Sequence, residues 1–131
     1  WLAPMGKYCA WTKLSVKGEK EFAPPDELKM YPVVGEIIKS NMRWRMFRPL
    51  VTEGLVLCGD AGGVLDPAAG QGIFNALSSG LMAGNTVVAC VREPDFAGFH
   101  LAQYDGWFVE YFEEKVGMLR GYYGGYGIGI E

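Results

Sequence analysis

One stretch constrains this chain more than any other: Leu55-Val56-Leu57-Cys58-Gly59-Asp60-Ala61-Gly62-Gly63, then Asp66-Pro67-Ala68-Ala69-Gly70-Gln71-Gly72-Ile73. A short apolar run without alternation, the pattern of a strand buried on both faces, stops at an acid. A loop punctuated by glycine and proline follows. From Gln71 a long helix is predicted, because Ile73, Ala76, Leu77, Gly80, Leu81, Gly84, Val87, Val88 and Val91 recur at i, i+3, i+4 spacing. Glycine inside a helix costs roughly 1 kcal/mol against alanine. The small residues Ala76, Gly80, Ala83 and Gly84 therefore predict a closely packed neighbour. Strand, loop and helix in this order suit a ligand held at a strand's carboxyl end and a helix start.

The 131 residues, half of them hydrophobic, fit one modest domain with a sizeable core. A net charge of -3 argues against nucleic acid, which needs a clustered basic face. Arg43, Arg45 and Arg48 alternate as the solvated face of a strand does. The three cysteines, Cys9, Cys58 and Cys90, are far apart and form no CxxC pair. They read as free thiols, with Cys58 and Cys90 buried, in a reducing compartment. The single histidine, His100, has no acid or thiol at ligand spacing, so it reads as a helix-surface residue and no metal site is expected. Gly72 to Val91 is too rich in Gly, Ser and Asn to read as a membrane span, and no secretory signal is seen.

In chain order, Trp1 to Gly6 and Lys7 to Lys17 read as a hairpin, followed by a turn at Gly18-Glu19-Lys20. Phe22 to Glu27 reads as a helix entry, interrupted at Pro32, with a second helical piece over Val33 to Lys39. Met42 to Leu50 alternates as a half-exposed strand, closed or set at an edge by Pro49. After the first long helix, Glu93-Pro94-Asp95 is a break. A second helix runs from about Phe96 to Leu119, with Leu101, Tyr104, Phe108, Tyr111, Phe112, Val116 and Leu119 as its packing face. The tail from Gly121 to Ile130 has neither helix nor strand pattern and is expected to be loose, or docked on a partner segment.

Phosphate-loop explanations fail on spacing: the chain has no GxxxxGK[ST] and no GxGxxG between a strand and a helix. What remains has its own logic. Asp60 can accept hydrogen bonds from ligand hydroxyls. Gly62 and Gly63 remove side chains where a ligand would approach the backbone. Gly70-Gln71-Gly72 opens the helix with its first amides free to meet an electron-rich group.

The run Gly59-Asp60-Ala61-Gly62-Gly63, Pro67, Gly70-Gln71-Gly72-Ile73, Ala76-Leu77-Ser78-Ser79-Gly80 and Ala83 resembles the second FAD-binding motif of flavoproteins of the p-hydroxybenzoate hydroxylase-like superfamily. Within it, the chain is most similar to the geranylgeranyl reductase and FixC-type dehydrogenase branch. Trp1-Leu2-Ala3-Pro4 is similar to that branch's W-x-F-P strand, with Ala3 in place of its phenylalanine. The resemblance implies that Asp60 bonds a hydroxyl of the FAD ribityl chain, and that Gly59, Ala61 and Gly62 line the path toward the diphosphate. It puts Pro67 near the isoalloxazine edge and the backbone of Gly70, Gln71, Gly72 and Ile73 at the pyrimidine end of the ring. Trp1 and Pro4 would lie on the substrate side. No side chain stands out as an acid or base, so the catalytic residues stay unassigned; in such enzymes the redox chemistry belongs to the cofactor.

The family's GxGxxG strand-loop-helix, which binds the ADP half of FAD, is absent here, as is most of its substrate sheet. The expected fold is therefore α/β, or α+β as a fragment: the C-terminal portion of an FAD/NAD(P)-binding Rossmann-like flavoprotein fold. It would comprise a small antiparallel sheet, a buried strand and two long helices. Residues 1–41 would end the substrate-domain sheet and its connector, 42–92 would form the C-terminal half of the FAD-binding domain, and 93–131 the last helix and tail. The expected function is that of a fragment of an FAD-dependent oxidoreductase, a reductase or dehydrogenase for a hydrophobic isoprenoid-type substrate. A flavin-dependent aromatic hydroxylase and a non-catalytic module on a flavoprotein scaffold are the alternatives. The chain alone should be inactive, bind FAD weakly or not at all, and self-associate through surfaces that the N-terminal part covers. A cytoplasmic setting, with peripheral membrane contact as a second option, follows from the same reading.

Overall fold

A computed structural model describes residues 2–14, 23–41, 43–67 and 70–128. The chain divides into two compact units, Trp1–Ser40 and Asn41–Glu131. In the first, β1 (Leu2–Met5) and β2 (Tyr8–Trp11) form an antiparallel hairpin, with Leu2 opposite Trp11 and Met5 opposite Tyr8. This is the expected hairpin; residues 15–22, where its end, the next turn and Phe22 fall, lie outside the described residues.

The helical pieces expected between residues 22 and 39 reduce to one 3-10 turn, Asp26–Leu28. Val33 to Lys39 carries no regular element, and Val34 and Ile38 are exposed. The reason is physical. Pro25 holds extended backbone (φ -53°, ψ 154°), and a short helix with no buried face does not recover its nucleation cost.

The second unit carries β3 (Arg45–Met46), β4 (Val51–Thr52), β5 (Leu55–Val56), β6 (Gly63–Val64), α1 (Gly72–Arg92) and α2 (Ala97–Gly125). The strand expected over Met42 to Leu50 is confined to β3, which pairs with β6, Arg45 opposite Val64 and Met46 opposite Gly63. The Phe47 amide extends that ladder to the Gly62 carbonyl at 2.9 Å. β4 and β5 form a second hairpin, Val51 opposite Val56. Leu55 is 51% exposed, so β5 is half buried rather than buried on both faces: it has one strand neighbour and lies at an edge.

The two helices are joined by a 3-10 turn at Pro94–Phe96 and run antiparallel. At one end Cys90 Sγ meets the Ala97 carbonyl, and at the other Tyr111 donates to Asn75. The core comprises Leu50, Ala83, Tyr104, Phe108 and Phe112, with Met46, Val51, Val56, Leu57, Cys58 and Leu65 packed around it. The aromatic stripe of α2 is thus the packing face its spacing implied. The composition is the expected one, two long helices plus small antiparallel sheets in a mixed α/β fold.

Three expectations need correcting. α2 continues to Gly125, so the supposedly loose tail is largely helix. Gly80 and Gly84 do not seat a neighbour, since a Cβ at either would meet nothing within 4 Å. Among the residues of α1 only Ser79 and Ala83 are buried, and Ile73, Leu77, Leu81, Val88 and Val91 form an exposed apolar stripe. Third, at 21 residues α1 is long and apolar enough, by length and composition, to cross a bilayer, so its Gly, Ser and Asn content does not by itself exclude a span.

Candidate functional site

Gly59 begins the loop after β5. Its φ of +56° is in the left-handed region that favours glycine. Its amide donates to Ser79 Oγ at 2.8 Å, and the Ser79 hydroxyl donates to the Asn75 carbonyl at 2.6 Å. One buried side chain on α1 therefore fixes the loop to the helix. Gly59–Ala61 form a 3-10 turn, and β6 then returns the chain to β3.

Behind the loop lies α2. A Cβ on Gly62 would stand 2.7 Å from Phe108 Cζ, and one on Gly63 would stand 2.8 Å from Phe112 Cδ2 and Cε2. Both glycines are required by two buried aromatic rings. For Gly62, which is buried on the helix side, this corrects the idea that it is bare so that a ligand can reach the backbone; Gly63 also lines the cavity. Tyr104 completes the support by donating its hydroxyl to the Leu57 carbonyl at 2.7 Å. Burial, with the neighbouring Cys58 as a second, electrostatic cause, pushes the Tyr104 phenol up to about 12.

In front of the loop is a cavity of about 530 Å³, within the roughly 300–1,000 Å³ typical of small-ligand sites. Asp60, Gly63, Leu65, Asp66 and Pro67 form its loop wall, and Gln71, Gly72 and Asn75 its helix-start wall. The third wall is the end of α2: Lys115, Met118, Leu119, Tyr122, Tyr123 and Tyr126. Asp66 is buried and accepts a hydrogen bond from the Tyr123 hydroxyl. Burial first, then that bond and the Asp66 charge, push the Tyr123 phenol up to about 12. Lys115 brings a cation, its Nζ 5.4 Å from the Tyr111 ring centre.

Of the residues singled out in the sequence, Asp60, Pro67, Gln71 and Gly72 converge on this cavity. Gly59, Ala61, Gly62, Gly70 and Ile73 do not line it: Gly59 and Gly62 belong to the loop's support, and Ile73 is 80% exposed on α1. Pro4 belongs to the other unit, and Trp1 lies outside the described residues. Sequence reasoning missed Asp66, Asn75 and the whole α2 wall. The Asp66-Pro67 pair was a visible signal. The tyrosines were hidden because their glycine-rich surroundings read as a tail.

Chemically, the cavity joins an exposed acid (Asp60), a helix N-terminus and an aromatic wall. Gln71 and Gly72 bring the start of α1 to the cavity, and Gln71 makes no side-chain cap bond at this positive end of the helix dipole. These groups fit the ribityl and ring portion of a flavin. No GxGxxG stands in the chain to cradle the diphosphate and adenosine. His100 is away from this lining and pairs with Glu93 at 3.0 Å. The three cysteines are free, Cys58 and Cys90 half-buried and Cys9 exposed.

Comparison with known proteins gives one consistent answer. The chain is 44% identical over 81 residues to the digeranylgeranylglycerophospholipid reductase of Methanocella arvoryzae, covering 62% of this chain and 20% of that protein. It is 31% identical over 116 residues to the enzyme of that name from Methanosphaerula palustris, 80% of this chain and 29% of that one. With digeranylgeranylglycerophospholipid reductase 3 of Methanosphaera stadtmanae it shares 27% over 128 residues, 89% of this chain and 31% of the relative. The chain thus spans between 20% and 31% of the length of these relatives. No protein-family model matches it, and no solved structure matches it significantly.

Proposed function

We infer that this chain, a homologue of part of the FAD-dependent geranylgeranyl reductases, is a piece of such a flavoenzyme and supplies the wall of the site that meets the flavin head. The observation that carries this reading is the convergence of Asp60, Pro67, Gln71 and Gly72 on one cavity at the start of α1. Four residues picked from a sequence motif line the same space, which a plain strand-turn-helix connection does not require.

When bound, FAD supplies the redox step: it takes up and passes on electron pairs. The chain's residues bind and orient. Asp60 accepts hydrogen bonds from ribityl hydroxyls. The opening turn of α1 places backbone amides and a partial positive charge where a reduced ring carries negative charge. Gly59, Ala61 and Gly62 keep the loop that leads toward the diphosphate in shape, Gly70 and Ile73 flank the helix start, and Trp1 and Pro4 are assigned to the substrate side by the resemblance alone. We assign no acid or base. The parent's reaction is the reduction of an isoprenoid-type lipid, the substrate class named in its relatives. Their being reductases favours this over aromatic hydroxylation.

In this reading residues 1–41 end the substrate sheet, 42–92 complete the FAD domain and 93–131 form the last helix and tail. The exposed stripe of α1 is covered by the N-terminal part of the parent, and its absence favours self-association of the isolated chain. An apolar substrate fits a cytoplasmic enzyme working against a membrane surface.

Gel filtration after mixing with FAD tests the division of the site. The isolated chain is expected to elute colourless, and to retain yellow FAD once an upstream GxGxxG-bearing segment of the same gene is supplied. A colourless complex sinks the proposal. Light scattering is expected to show association that grows with concentration; a monomer throughout removes the argument from the exposed stripe.

A further inference from the structure

One residue held from several sides at the cavity, Tyr123, lies outside the flavin motif. Tyr123 sits in the last turn of α2, which ends at Gly125. Its hydroxyl donates to the buried Asp66 carboxylate, and its ring lies 6.1 Å from that of Trp44. Its carbonyl accepts the Ile128 amide at 2.9 Å, while the Gly127 amide returns to the Gly124 carbonyl at 3.0 Å. Gly127 has φ +69°. These bonds make a Schellman closure, which satisfies carbonyls that a helix end otherwise leaves open.

The surroundings make this anchoring necessary. Gly117, Gly121, Gly124 and Gly125 all fall in the last third of α2, and each weakens a helix against alanine. None is required by packing, since a Cβ at any of the four would meet nothing within 4 Å. Helix propensity alone does not hold this segment, and Tyr123 ties it to the loop that carries the motif. Tyr122 and Tyr126, four apart and hence on one face, then stand exposed at the cavity. Exposed phenol rings beside a cavity gain burial when a planar ring enters.

We propose that the end of α2 is part of the flavin site, with Tyr123 as the positioning residue that holds it against Asp66 and with Tyr122 and Tyr126 as the wall that the ring packs on. The proposal rests on the flavin reading above. It adds a wall from the last helix, and it makes Asp66 the anchor of that wall.

The test combines tryptic cleavage after Arg120, which is exposed on this segment, with equilibrium fluorescence polarisation of FMN at high concentrations of the chain. Tyr123→Phe is expected to speed cleavage about tenfold or more, the ratio that losing one charge-assisted hydrogen bond produces in a local opening equilibrium. Asp66→Asn should shift cleavage the same way, and Tyr122→Phe should not. FMN at high concentration should slow cleavage of the wild-type chain, and Tyr122→Ala/Tyr126→Ala should abolish that protection. Circular dichroism of each variant checks that the rest of the fold is retained. If FMN binds but neither Tyr123→Phe nor Asp66→Asn changes cleavage, the inference is overturned and the flavin reading stands. If Tyr123→Phe speeds cleavage but FMN leaves cleavage of the wild-type chain unchanged, the ring-packing wall is overturned, while the flavin reading is decided separately by FAD retention with the upstream segment.

Discussion

Gly62→Ala separates two explanations of the motif glycines. If Gly62 is bare for the sake of a ligand, a methyl group there leaves the stability of the free chain unchanged. If it is bare because α2 presses on the loop, the methyl destabilises the free chain. The structure places that Cβ 2.7 and 3.0 Å from Phe108 Cζ and Cε2, and 3.4 Å from Leu50 Cδ2. Neither neighbour can withdraw easily. Leu50 is fully buried and Phe108 is 4% exposed, and the Phe108 ring is flanked by Tyr104 and Trp107 at centroid distances of 6.1 and 6.3 Å.

Overpacking of this kind costs about 1–3 kcal/mol, or roughly 4 °C of melting temperature at the low end and 15 °C or more at the high end for a unit of this size. Urea and thermal unfolding followed by helical circular dichroism read it directly. Gly80→Ala is the matched control. It also adds one methyl to a glycine, but in open space within a helix, where alanine gains roughly 0.5–1 kcal/mol. Phe108→Leu should partly rescue Gly62→Ala, with a coupling of more than about 0.5 kcal/mol for residues in contact. Wild-type stability for Gly62→Ala, or a larger loss from Gly80→Ala, refutes the packing argument.

Further outcomes follow from the same geometry. Ser79→Ala removes both the acceptor of the Gly59 amide and a donor to Asn75; leaving a part-buried amide without its partner costs about 1–3 kcal/mol, measurable by urea unfolding. The chain has seven tyrosines, and two of them, Tyr104 and Tyr123, are pushed up to about 12. Spectrophotometric titration should therefore show a late phase that Tyr123→Phe reduces. Because the folded chain keeps these protons after the unfolded chain has lost them near 10.0, their contribution is complete below that pH and is lost as pH rises from about 10 to 12. A single phase at the ordinary tyrosine value argues against both hydroxyl environments.

Much of the architecture was written locally. The apolar spacing of α1 and the aromatic stripe of α2 define their own helices, because an amphipathic pattern needs no knowledge of its partner. The glycine and proline breaks around Gly6 and Glu93 mark turns for the same reason. Resemblance to the flavin motif singled out Asp60, Pro67, Gln71 and Gly72, since a ligand loop carries its chemistry within a few consecutive residues. Elements whose stability is not local were misread. Val33 to Lys39 has helical spacing but no surface to bury, and the glycine-rich end of α2 lacks helical propensity yet is helix.

What the amino-acid order determines by itself is which segments can be helices and which loop can hold a ligand. What only the tertiary structure decides is why the glycines are there and what closes the cavity. Gly62 and Gly63 answer to Phe108 and Phe112, more than 40 residues away, because close packing is a relation between distant segments. Asp66 answers to Tyr123, 57 residues on, because a buried carboxylate must find its donor wherever the fold brings one. Spacing reads along the chain, and these contacts run across it.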